Sequence, residues 1–202
     1  MARIAGIILA AGESKRMGRP KALLDWGGKI LIQHQIDALA SAGCDPIITV
    51  LGARAHQLRA RIKCVPPCRV IENAAYRSGR ASSIRTGARR LPSDVGAVVV
   101  ASVDSPLSAD TLSTLVASWR EEPTAIVVPR FEGRNGHPAL FSGELLDELR
   151  AVQESTLGLK AVREAHRDGT RFLDVDDALT TQNLNTPEDY AEAVTRWFPP
   201  HA

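Results

Sequence analysis

Residues 9–24 read Leu-Ala-Ala-Gly-Glu-Ser-Lys-Arg-Met-Gly-Arg-Pro-Lys-Ala-Leu-Leu. An apolar run ends there in small residues, and Gly12, Ser14, Arg16, Gly18 and Lys21 follow in a short loop. Glycines let backbone N–H groups come close to an anion, and Arg16 and Lys21 bring charge to phosphate oxygens. The loop therefore reads as a polyphosphate cradle, with Lys21 placed where its ammonium meets phosphates but need not pack. Neither common nucleotide motif fits. The Walker pattern requires Gly-Lys-Ser/Thr, whereas Gly18 precedes Arg-Pro-Lys, and G-x-G-x-x-G is broken by Glu13-Ser14 after Gly12. A nicotinamide oxidoreductase fails on that missing dinucleotide motif.

Asp104 is the second candidate. It directly follows a valine-rich run, and a carboxylate at the carboxyl end of a buried strand lies where α/β sheets place ligands. Mg²⁺ binds through one or two carboxylates completed by phosphate oxygens and water, so one acid suffices. An Asx turn before Pro106 would use the same residue. Ser82 and Ser83 offer hydroxyls to a base or phosphate if they start the next helix, whose N-terminus favours anions; plain N-capping would look alike. Arg77, Arg80 and Arg85 either extend this anion site toward a bulky phosphorylated ligand or form a solvated face. Cys64 and Cys68 lack zinc-finger spacing and read as structural. No G-x-S-x-G elbow supports a serine hydrolase.

These residues need a scaffold, and strand-like and helix-like segments alternate to supply one. Strands are expected at 4–10, 46–51, 69–71, 97–103, 125–128, 138–141 and 171–175. Helices are expected at 31–42, 55–62, after the 78–83 loop to near Pro92, and at 108–119, 143–152 and 157–168. Thr186-Pro187-Glu188-Asp189 reads as the start of a last helix running to about Trp197, with Thr as N-cap and Pro in the first turn. With no repeat or linker, residues 1–202 form one α/β domain with a mostly parallel sheet.

The composition is that of a globular chain: 202 residues, 44% hydrophobic and 24% charged. No apolar run reaches membrane-span length. Three cysteines argue against a disulfide framework and for a reducing cytoplasm, and Met1-Ala-Arg-Ile carries no signal-peptide pattern. Residues 1–92 hold 16 Lys+Arg against 5 Asp+Glu, while 93–202 hold 9 against 18. A basic half joined to an acidic half suits a cleft for polyanions with a cation opposite, or two solvated faces. At 4% aromatic residues, nucleic acid is a poor fit.

The 9–21 string resembles the signature of nucleotidyltransferases that activate a phosphorylated acceptor, and it is most similar to molybdenum cofactor cytidylyltransferases and their relatives. Asn73-Ala-Ala-Tyr76 with Gly79, Ser82, Ser83 and Gly87 resembles the family's second nucleotide loop, Asp104-Ser-Pro106 its metal-binding Asp-x-Pro, and Gly136-His137-Pro138 its acceptor-side Gly-His-Pro. The resemblance implies a three-layer Rossmann-like domain of nucleotide-diphospho-sugar transferase type, and a Mg²⁺-dependent transfer of CMP from CTP to the phosphate of molybdopterin. Leu9, Ala10, Ala11 and Gly12 would lie along base and sugar, with Ser14, Gly18, Asn73, Gly79, Ser82 and Ser83 completing the nucleotide site. Arg16 and Lys21 would neutralise the triphosphate, Gly136 and His137 would meet the acceptor, and Asp104 and Asn185 would hold the metal. Members with Leu-Ala-Ala-Gly tend to use CTP and those with Leu-Ala-Gly-Gly GTP. The chain departs from the family at Asn183-Leu-Asn185, where both family acids are amides, and at Arg80, where an apolar residue is usual. Alternatives are GTP or another nucleotide, a sugar-phosphate acceptor, or a non-catalytic carrier delivering a nucleotide-linked cofactor to a molybdoenzyme.

Overall fold

A computed structural model describes residues 2–199. In chain order it contains β1 (Ile4–Ala10), β2 (Asp25–Trp26), β3 (Lys29–Ile30), α1 (Leu31–Ser41), β4 (Cys44–Leu51), α2 (Ala55–Arg59), β5 (Cys68–Glu72), α3 (Arg80–Ala88), β6 (Ala97–Ser102), α4 (Ala109–Glu121), β7 (Ile126–Phe131), β8 (Arg134–Asn135), β9 (Ala139–Ser142), α5 (Leu146–Ala151), α6 (Leu159–Ala165), β10 (Thr170–Asp174) and α7 (Pro187–Trp197). Eight strands form one sheet in the order β10-β7-β9-β6-β1-β4-β5, with β8 paired to β7. The β1, β4, β5 and β6 pairings are parallel, as is β10 with β7, whereas β9 runs antiparallel between β6 and β7.

β1 is buried at every residue, as a strand covered on both faces must be. Its side chains alternate between two cores. Ile4, Ile8 and Ala10 pack with residues of α1, α2 and α4, and Ala5, Ile7 and Leu9 pack with α3, α5 and α6. The mostly parallel sheet expected from the alternating pattern, and the three-layer architecture that the resemblance implies, are the ones formed. A third cluster, Met17, Leu24, Trp26, Leu31, Leu179, Leu184 and Ala193, pins the 11–24 loop to the segment before α7.

Several boundaries differ from the sequence pattern. The β2–β3 hairpin has no apolar run to announce it. α3 begins at Arg80, so Ser82 and Ser83 lie inside its first turn rather than in the preceding loop. β7 extends to Phe131 because Arg130 and Phe131 pair with β8. α6 begins only at Leu159, since Leu157 and Gly158 both have positive φ.

Candidate active site

The loops after β1, β4 and β6 are stitched together at the carboxyl end of the sheet. Ala53 N–H donates to the Ala11 carbonyl at 2.9 Å, and Val103 N–H donates to the Leu9 carbonyl at 3.0 Å. Within the first loop Ser14 takes a left-handed conformation, φ 54°, and its Oγ accepts the Lys21 N–H at 3.1 Å. This closes the loop and turns the Lys21 side chain inward. Contrary to the sequence expectation Lys21 does pack: its side chain is 11% exposed. Its Nζ lies 3.4 Å from Asp104 Oδ2 and 3.1 Å from Asn185 Oδ1.

Each partner of Lys21 is held in turn. The Gln35 amide, fully buried on α1, donates to the Ser102 and Ser105 carbonyls at 3.1 and 2.9 Å, bracing the turn that carries Asp104. Leu184 N–H donates to the Asp104 carbonyl at 2.8 Å, which brings the neighbouring Asn185 alongside. The Asn185 and Thr186 N–H groups both donate to Asp189 Oδ2 at 2.9 Å, and Thr186 caps α7 in a capping box with Asp189, as the sequence suggested. Asn183 has a different task, its Oδ1 accepting the Ser105 hydroxyl at 2.9 Å. Burial by itself raises the Asp104 carboxyl, but the Ser102 hydrogen bond and the charges of Lys21 and Arg80 outweigh it, so Asp104 titrates below the ordinary carboxylate range.

These groups floor a cleft of about 400 Å³. Leu9, Ala10, Ala11, Gly12, Ser14, Arg16, Lys21, Gly79, Ser83, Asp104 and Asn185 all line it. The remaining sequence candidates lie elsewhere. Asn73 and Ser82 sit behind the wall. Asn73 Nδ2 donates to Ser82 Oγ (2.8 Å) and Ser83 Oγ (3.0 Å), tying the turn after β5 to α3. Gly18 faces an adjoining depression with Ser14, Lys15 and Arg54. Gly136 is buried, its N–H donating to the Pro129 carbonyl at 2.7 Å, and His137 lines a second, neighbouring cavity. Burial, reinforced by Arg80 and Arg163, pushes the His137 imidazole below its ordinary value. Arg77 and Arg80 line the main cleft, whereas Arg85 donates to the Val152 carbonyl. Tyr76, part of the second-loop string, lines it as well, and so do Ala53 and Arg54, which were not singled out from sequence. The rule that found Asp104, ligands beyond a parallel strand's carboxyl end, points equally to Gly52-Ala53-Arg54 after β4.

A glycine-bearing loop lining a cleft, a buried lysine and a strand-end carboxylate suit a nucleoside triphosphate, and comparison with known sequences agrees. The profile described as MobA-like NTP transferase domain matches residues 6–170. The chain belongs to that family. Like its family it is a nucleotidyltransferase. It is 30% identical over 199 residues to nicotine blue oxidoreductase of Paenarthrobacter nicotinovorans, covering 92% of this chain and 93% of that protein. It is 30% identical to the "Probable molybdenum cofactor guanylyltransferase" of Rhodopirellula baltica, covering 91% and 88%. It is 26% identical to the molybdenum cofactor cytidylyltransferase of Escherichia coli, covering 98% of each. Among solved structures, Rv0371c of Mycobacterium tuberculosis superposes with a TM-score of 0.82 at 27% identity, covering 96% of this chain and 98% of that one; a structure titled as its manganese complex gives 0.75. In this MobA-like chain, no helix among the described residues is long and apolar enough to cross a membrane.

A divalent cation fits the donor set. Asp104 and Asn185 offer hard oxygen atoms of the kind Mg²⁺ and Mn²⁺ prefer. Both already contact one cation, the Lys21 ammonium, which shows that their oxygens converge.

Proposed function

We propose that the chain transfers CMP from CTP to the phosphate of molybdopterin, with Mg²⁺, and releases pyrophosphate. We further propose that residues 1–202 act as one domain in the cytoplasm. The observation that carries the reading is the meeting of Lys21 with Asp104 and Asn185 at the floor of the cleft that the 9–21 loop lines. Leu9 to Gly12 offer small groups and backbone to base and ribose, and Arg16 and Lys21 offer charge to the triphosphate. Asp104 and Asn185 would hold the metal, which when bound supplies charge neutralisation at the phosphates.

An acceptor phosphate oxygen forms a bond to the α-phosphorus as the bond from that phosphorus to the bridging oxygen breaks, and the electron pair leaves with pyrophosphate. The nucleophile is already anionic, so no side chain need remove a proton. Catalysis then consists of alignment and of electrostatic stabilisation by preplaced cations. The preference for CTP rests on Ala11, whose methyl narrows the space a larger purine would need.

A second reading is favoured by the amides Asn183 and Asn185 and by the oxidoreductase name of one relative: a binding or redox protein built on the same cleft. Pyrophosphate release, measured with CTP, GTP, ATP and UTP in the presence of molybdopterin and Mg²⁺, separates them. Release with CTP above the others supports the proposal. Release with GTP above CTP moves the assignment to a guanylyltransferase, and none with any nucleotide favours the second reading.

A further inference from the structure

Cys64 and Cys68 meet at the amino end of β5, the strand at one edge of the sheet. Their sulfurs lie 3.4 Å apart, and Cys64 Sγ also donates to the Cys68 carbonyl at 3.2 Å. The residues between them, Val65-Pro66-Pro67, are folded back on themselves. Cys68 N–H donates to the Val65 carbonyl at 2.9 Å, and Ile47 N–H on β4 donates to the Pro67 carbonyl at 3.0 Å. The backbone thus keeps the two sulfurs together, and a disulfide needs them to close by only about 1.4 Å.

The thiols differ in access. Cys64 is exposed, whereas Cys68 is buried against β4, 3.8 Å from Thr49 Oγ1. Burial, with the hydrogen bond from Cys64, pushes the Cys68 thiol up to about 12. Cys44 is buried too, and burial pushes it up to about 12. A thiolate, not a thiol, attacks a disulfide, and the attack needs access. Cys64 is therefore the sulfur placed to react first, with Cys68 in reach to react second.

The charge around the pair selects the reagent. Residues 59–69 carry Arg59, Arg61, Lys63 and Arg69 and no acid. Lys63 and Arg69 adjoin the two cysteines in sequence and are exposed. Among the described residues, neither they nor Arg61 form an ion pair. Such a cluster draws an anion and repels a cation.

We propose that Cys64 and Cys68 form a reversible dithiol–disulfide site that reacts with anionic low-molecular-weight disulfides. The Cys64 thiolate bonds to one sulfur of the reagent as the S–S bond of the reagent breaks, and one small thiolate leaves. The Cys68 sulfur gives up its proton to water, bonds to the Cys64 sulfur and expels the second small thiolate. The protein loses two electrons and two protons, and the reagent is reduced to two thiols. An exposed disulfide is of the labile kind, so excess small thiol reverses the reaction. The site lies at the end of the sheet opposite the nucleotide cleft and is independent of the transferase reading.

The test incubates the reduced, folded full chain with oxidised glutathione, an anion, or cystamine, a cation, and reads intact mass and peptide maps. With oxidised glutathione the wild type should lose two hydrogens, carry a Cys64–Cys68 bond, and regain both thiols in excess reduced glutathione. Cys68→Ser should stop at one glutathionyl group on Cys64. Cys64→Ser, a change at an exposed position, should react more slowly by about tenfold or more, because its remaining thiols are buried. From low to physiological salt the rate with oxidised glutathione should fall several-fold and the rate with cystamine should not. A wild type that stays reduced, or that stops at a glutathione adduct, overturns the proposal. So does a Cys64→Ser variant, folded by circular dichroism, that reacts as fast as the wild type. A glutathione rate indifferent to salt overturns the preference for anions.

Discussion

Lys21→Met should separate two roles of one side chain. The substitution keeps the length of the stem and removes the ammonium that touches Asp104 and Asn185. Exposed ion pairs contribute about 0–1 kcal/mol, while stripping one partner from a fully buried pair costs about 3–5 kcal/mol. Lys21 is 11% exposed and Asp104 31%, so the pair lies between these limits, and a loss of about 2 kcal/mol is expected. For a chain of this size that lowers the melting midpoint by about 4–8 °C. Adding Asp104→Asn removes the stranded charge and should return most of the midpoint. Turnover should behave differently. Losing one preplaced charge costs on the order of a hundred- to a thousandfold in rate, and neutralising Asp104 cannot replace it. The double variant should therefore regain stability and remain inactive. Thermal unfolding and pyrophosphate release on the four proteins of the cycle measure both quantities. If Lys21→Met melts with the wild type and Asp104→Asn adds nothing, the contact contributes no stability; if it also turns over normally, Lys21 is no part of the machinery.

Asn185→Asp should tighten Mn²⁺ binding without nucleotide by about tenfold, because a second anionic oxygen joins Asp104; an unchanged affinity by water-proton relaxation would remove Asn185 from the ligand set. Gly52→Ala would bring a methyl within 2.6 Å of Tyr76 Cβ and 2.8 Å of Ala11 Cβ, costing about 1–3 kcal/mol and reducing the thermal shift given by CTP. A full CTP shift in a folded Gly52→Ala protein would place the base away from Ala11. His137, held low by burial and by Arg80 and Arg163, stays neutral in the fold where the unfolded chain takes up a proton. Stability should therefore fall as pH drops below about 6.5, and His137→Gln should flatten that slope in pH-dependent denaturant titrations.

Much of the site is legible because parallel strands end where ligands bind. The apolar run into Gly12, and the valines before Asp104, place both residues at the carboxyl end of the sheet without reference to any contact. What pattern cannot show is which polar groups face the cleft. Asn73 and Ser82 have the residue types of a binding loop, yet their hydrogen bonds are spent within the 73–83 segment. Ser83, one position on, lines the cleft, because successive residues on a helix point about a quarter turn apart. The burial of Lys21 depends on Ser14, Asp104 and Asn185, which lie up to 164 residues away, so no local window contains it.

The amide at position 185 also acquires a physical reading from these contacts. Lys21 has a single ammonium and two sets of possible partners, the protein oxygens and the phosphates of a nucleotide. In the chain by itself it is bound to one carboxylate and one neutral amide. A second carboxylate at 185 would strengthen that internal pairing, since a charged acceptor makes the hydrogen bond roughly twice as strong. With Asn185 the ammonium would, under the proposed function, be released to an arriving triphosphate at lower cost than with a second carboxylate. Under that function its departure would leave Asp104 and Asn185 to hold a cation, which would supply charge neutralisation together with the anionic oxygens the nucleotide brings. Metal binding should accordingly depend on nucleotide more steeply in this chain than in its Asn185→Asp variant, whose own two acids already attract the cation.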